Sequence, residues 1–181
     1  MTNTNEILWE LGSSDLPAID GSNVVLPDAS SGPVNETPPL EENLYFGGLP
    51  RLHVNVNTAT VGGQLYALLE DCNEGVCIHI GHAIMDLRYH AGGSDVQTWN
   101  PLTDEITALM EFFPMDVEVE AGHTIRLSLR STGEDYLPSA ASSISTIIDS
   151  GSTLQLDTFD PSTREYYQTV QCTAQVCLTN A

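Results

Sequence analysis

Apolar and polar side chains alternate along this chain with a period of two. Leu52, Val54 and Val56 are interleaved with Arg51, His53, Asn55 and Asn57, and Leu65, Ala67 and Leu69 repeat the pattern. Met115, Val117 and Val119 alternate with Asp116, Glu118 and Glu120. Ile125, Leu127 and Leu129 alternate with Arg126, Ser128 and Arg130, and Leu154 with Leu156 makes a last clear pair. Successive residues of an extended strand point to opposite faces, so each run predicts a strand with one face to bury. Gly62-Gly63, Asn73-Glu74-Gly75, Gly92-Gly93, Trp99-Asn100-Pro101 and Ala121-Gly122-His123 separate the runs with turn chemistry. With no good amphipathic helix to cover those faces, two antiparallel sheets packed against each other are expected. Residues 101–111 are the exception, where a short helical turn is expected.

The segments outside the alternating region read differently. Residues 1–38 mix Gly, Ser, Asp, Asn and Pro loosely, with only 7–11 and 23–26 strand-like, and predict a linker or docking arm. The sandwich is expected over 39–157. Residues 158–181 form a tail that opens on the turn Asp160-Pro161-Ser162 and predicts a hairpin around Cys172 and Cys177. Met1 to Glu10 has neither a basic start nor an apolar core, so no signal peptide is expected. That reading places the chain in the cytoplasm, or outside the cell if an upstream part precedes it.

Charge narrows the partners. The chain has 25 acidic residues against five basic ones, all Arg, for a formal charge of −20. Such a surface repels phosphates and anionic lipid, which argues against nucleic acid and membrane as partners. Three readings of the acidity stand: adaptation to high salt, which is foremost, a face for a basic partner, and calcium sites. No Asp-x-Asp-x-Asp-Gly loop supports the last.

Several short segments occur in a telling order. They are Pro-Leu-Glu-Glu-Asn-Leu at 39–44, Gly-Leu-Pro-Arg-Leu-His-Val-Asn-Val at 48–56 and Gln-Leu-Tyr-Ala-Leu-Leu-Glu-Asp at 64–71. Gly-His-Ala-Ile-Met-Asp-Leu-Arg-Tyr-His at 81–90 and Ala-Gly-His-Thr-Ile-Arg-Leu-Ser-Leu at 121–129 follow. The series resembles the C-terminal β-sandwich of X-prolyl dipeptidyl-peptidases and cocaine-esterase-type acyl hydrolases. The resemblance implies an all-β, jelly-roll (galactose-binding-like) fold without catalytic residues of its own. Family enzymes carry their serine triad in a separate α/β-hydrolase domain, on which the jelly roll packs and often helps dimerisation. An α/β-hydrolase domain, encoded separately or lost upstream, and a second copy of the chain are therefore the implied partners. The alternative is a free-standing carbohydrate- or polymer-binding module.

A nucleophile elbow needs Gly-x-Ser-x-Gly, and Gly92-Gly93-Ser94-Asp95 lacks both its helix and its second Gly. Ile147-Ile148-Asp149-Ser150-Gly151-Ser152 resembles the loop that presents an aspartic-protease carboxylate, but that chemistry needs two such Asp and this chain has one copy. A tight turn between strands near the end of the sandwich is expected there. His79 and His82, with His90 further on, invite a metal; three apart on a regular strand they face opposite ways, so sharing an ion would require a bulge at Gly81. His123 is implied by the resemblance to be a turn residue whose ring packs or bonds to backbone. Cys72 and Cys77, like Cys172 and Cys177, are spaced for a local disulfide across a hairpin or for buried thiols, and poorly for zinc. Tyr66, Tyr89, Trp99, Tyr166 and Tyr167 are the rings available to a sugar platform. The expectation is no catalytic residue, no cofactor and no metal.

Overall fold

The computed structural model describes residues 4–11, 34–58, 61–130, 133, 136, 146–148 and 152–163. Eleven strands run in chain order: β1 Thr4–Leu11, β2 Val34–Glu36, β3 Leu44–Gly48, β4 Arg51–Thr58, β5 Gln64–Asn73 and β6 Val76–Asp86, then β7 Ile106–Glu111, β8 Met115–Val119, β9 Thr124–Arg130, β10 Thr146–Ile148 and β11 Ser152–Phe159. Two short 3₁₀ turns, Leu87–Tyr89 and Pro161–Thr163, are the only helical elements among the described residues. The all-β expectation holds.

The strands form two antiparallel sheets. The larger follows the order β10-β4-β11-β3-β8, with β1 added to β11 and β7 to β4; the smaller follows β2-β9-β5-β6. The alternation read from the sequence is the alternation of burial: Leu52, Val54 and Val56 on β4 are sealed while Arg51 and His53 are exposed. These side chains, with Phe46, Met110, Leu154 and Leu156, meet Leu65, Ala67, Leu69, Ile125, Leu127 and Leu129 of the smaller sheet in one core. Each fully buried Leu or Ile contributes roughly 1.5–3 kcal/mol through the apolar area it removes from water.

The helical turn expected within 101–111 is, in its second half, β7. Ile106, Ala108 and Met110 are buried and pair along β4, while Thr107, Leu109 and Glu111 face outward. Leu109 on the outer face blurs the two-residue period and gave the stretch a helical look. The segment before residue 39 also contributes strands: β1 pairs with β11 along its whole length, and β2 pairs with β9. The three residues of β2 are too few to show any period. The Cys172–Cys177 hairpin, Asp149, Tyr166 and Tyr167 lie outside the described residues.

Turn chemistry works as expected at the β5–β6 hairpin. Glu74 and Gly75 both have positive φ, 50° and 83°, which a two-residue loop of this handedness requires. The turn sets Cys72 directly opposite Cys77, and the two are joined by a disulfide.

Candidate functional site

A break in the β5–β6 ladder builds the most distinctive cluster of polar side chains. Leu69 pairs with Gly81 but Glu70 pairs with His79, so Ile80 is an extra residue on β6. A bulge of this kind re-aims the side chains beyond it. Here it places His79 and His82 on the same outer face, opposite Glu70 and Leu68. The bulge required by the sequence argument therefore exists, one residue before Gly81.

The two imidazoles meet. His82 Nδ1 lies 3.3 Å from His79 Nε2, and His82 Nε2 lies 2.9 Å from the Tyr136 hydroxyl. Aromatic rings hold His82 in place: Tyr66 stacks on it at 5.5 Å and 25°, while Tyr136 and Phe113 approach edge-on at 5.7 and 5.8 Å. Two glycines leave room for this packing. A Cβ on Gly133 would come within 2.4–2.7 Å of the Tyr66 ring, and one on Gly81 within 2.6 Å of Met115 Cε. His90 is elsewhere; its Nδ1 bonds the Leu87 carbonyl at 3.0 Å and its ring packs edge-on against Trp99.

The other candidates resolve into structural roles. His123 Nδ1 sits 2.8 Å from Asp71 Oδ1, tying the start of β9 to β5. The ring's partner is thus a carboxylate rather than backbone. Its Nε2 faces the Glu120 carboxylate at 4.0 Å, where a catalytic triad would need a hydroxyl. Ser94 and Asp95 lie in an exposed bend. Ser152, from the aspartic-protease-like loop, is buried and its Oγ accepts a hydrogen bond from Asn55 N at 3.0 Å. Trp99 and Tyr66 are buried and Tyr89 half-buried, so these rings offer no exposed platform for a sugar.

A clamp that the sequence did not reveal fastens β2. Thr124 Oγ1 donates to Glu36 Oε1 at 2.6 Å, and Arg126 Nε and Nη2 donate to Glu36 Oε2 at 3.0 and 2.9 Å. The Thr124 bond above all, then the Arg126 guanidinium, holds the Glu36 carboxyl below its usual range against an opposing push from burial. Asn35 beside it is fully buried, so the Asn35-Glu36-Thr37 triplet presents no accessible amide for a glycan in the folded chain. Asp86 is likewise lowered, chiefly by the Arg88 side chain, whose backbone N–H it also caps at 2.9 Å.

Residues 11–174 match the family described as the X-Pro dipeptidyl-peptidase C-terminal non-catalytic domain. No curated protein matches the chain in sequence. Among solved structures, an aminopeptidase from the marine sediment archaeon Thaumarchaeota archaeon aligns with TM-score 0.60 and 14% identity, over 88% of this chain and 34% of that one. An alpha-amino acid ester hydrolase aligns at 0.59 and 14%, over 86% and 32%. A CocE/NonD family hydrolase from Staphylococcus aureus aligns at 0.59 and 11%, over 87% and 37%. At such identities the likeness establishes the fold. The chain spans about a third of the length of these structures.

Proposed function

The chain belongs to the X-Pro dipeptidyl-peptidase C-terminal non-catalytic domain family, and on that premise we propose that it serves as a hydrolase's accessory β-sandwich. Its task is to dock on an α/β-hydrolase catalytic domain and support assembly or substrate access, leaving the chemistry to that domain. The observation that carries this reading is the match of nearly the whole chain to about a third of several longer hydrolases. The Asp71–His123 pair supports it, because its free ring nitrogen meets a carboxylate and not a nucleophile. Edge strand β6 offers contact surface: Val76 and Ile78 are 69% and 66% exposed, and Phe113 beside His82 is 66% exposed. Apolar side chains left in water along an edge that no described strand pairs with gain free energy when a partner covers them.

The test mixes the purified chain with the α/β-hydrolase domain from the same genome that carries Gly-x-Ser-x-Gly, whether that domain lies upstream in the same frame or in a separate chain, and measures mass by light scattering. A defined complex is expected, weakened by Phe113→Asp or Ile78→Asp. Two species that stay separate at high micromolar concentration would overturn the proposal. The acidity we read as adaptation to concentrated salt, since screening relieves the repulsion among like charges.

A further inference from the structure

We infer that His79 and His82 form a site for a borderline divalent transition-metal cation, bound between His79 Nε2 and His82 Nδ1. Three features of the cluster point there. The first is spacing. Two imidazole nitrogens bound to one zinc-like ion at about 2.0–2.1 Å in tetrahedral geometry lie roughly 3.3–3.4 Å apart. These two are 3.3 Å apart before any ion is added.

The second is the partner on the far side of the ring. A ligating His usually donates its other N–H to a fixed acceptor, which sets the tautomer and the ring angle. His82 Nε2 has the Tyr136 oxygen at 2.9 Å, and donation to it leaves Nδ1 as a bare lone pair facing His79. With that tautomer the hydrogen between the rings is carried by His79 Nε2, and binding requires it to shift to His79 Nδ1 so that both lone pairs face the cation.

The third is preorganisation and field. Tyr66, Tyr136 and Phe113 fix the His82 ring, so little freedom is lost on binding, while His79 is exposed and can adjust its angle. Glu70 stands directly opposite His79 on β5, and the chain's net charge of −20 draws cations to the surface. No cluster of three or more His, Cys, Asp or Glu suited to a metal occurs among the described residues. Among the described residues the site is thus a pair of imidazoles, with its remaining coordination positions open to water. Imidazole donors favour copper, nickel and zinc over magnesium and calcium, with copper(II) held most tightly.

The experiment titrates chelator-stripped chain with copper(II) and with zinc(II) by calorimetry, in millimolar magnesium that occupies the scattered carboxylates. One saturable equivalent per chain is expected, copper tighter than zinc, with nitrogen hyperfine structure in the copper spin-resonance spectrum. His79→Ala and His82→Ala should each weaken binding at least about tenfold, and Tyr136→Phe should weaken it by about the same factor through loss of the acceptor. His53→Ala, an exposed His on the other sheet, should change nothing. A native circular-dichroism spectrum and a cooperative thermal transition above the titration temperature in each variant separate lost binding from lost fold. Absence of saturable binding, or equal affinity in the His79 and His82 variants, would overturn the inference.

Discussion

Removing the charge of Glu36 should loosen the chain in a way that depends on pH. Its carboxylate receives one hydrogen bond from Thr124 and two from Arg126, and these span from the three-residue strand β2 to β9. A hydrogen bond to a charged group contributes roughly 1.5–3 kcal/mol when shielded. The Arg126 and Glu36 side chains remain 32% and 31% exposed, so screening reduces the ion pair toward the surface value. Glu36→Gln keeps the shape and some of the bonds, and a loss of about 1 kcal/mol at neutral pH is expected.

The sign of the pH effect follows from the lowered pKa of Glu36. The folded state binds the Glu36 proton less tightly than the unfolded chain does, so the group stabilises above its unfolded pKa. That contribution fades as pH falls through the lower folded value. Urea unfolding of both proteins across the acid range measures it. The two curves should be separated at neutral pH and converge in acid. A gap of constant size at every pH would refute the electrostatic account and leave only packing.

Three further outcomes are expected. Stability in urea should rise steeply up to molar potassium chloride, because the 25 acidic residues repel one another in dilute buffer; a flat response rejects the salt-adaptation reading. Replacing Cys72 and Cys77 by Ser should cost about 1–2 kcal/mol in chemical denaturation, since the chain-entropy estimate for so short a loop is about 2 kcal/mol and the two-residue turn already holds its ends together. Unchanged stability would mean that the turn alone sets the hairpin. Gly133→Ala should lower the melting temperature by an amount equivalent to about 1–3 kcal/mol, because the new methyl meets the rigid, buried Tyr66 ring and not a flexible chain end. Gly81→Ala, whose one close approach is to the flexible end of Met115, should cost less, and the reverse order would contradict the packing described.

Much of the molecule was legible in the order of its residues. The two-residue period of 51–57, 64–69, 115–120, 125–130 and 154–156 determined strands, because a strand's faces are set by position parity alone and water penalises the wrong parity. Asn73-Glu74-Gly75 likewise determined a hairpin and brought Cys72 opposite Cys77, since local dihedral preferences decide a two-residue loop. The ordered segments from 39 to 129 pointed to the family whose description matches 11–174. Tertiary structure decided the rest. Whether β2 joins β9, or Glu36 meets Thr124 and Arg126, depends on partners about 90 residues away, and nothing local to 34–36 encodes it. The meeting of His79 and His82 hangs on one unpaired residue, Ile80, in the β5–β6 ladder. Parity predicts that they face apart, and only the register of two strands packed over a common core could reverse it.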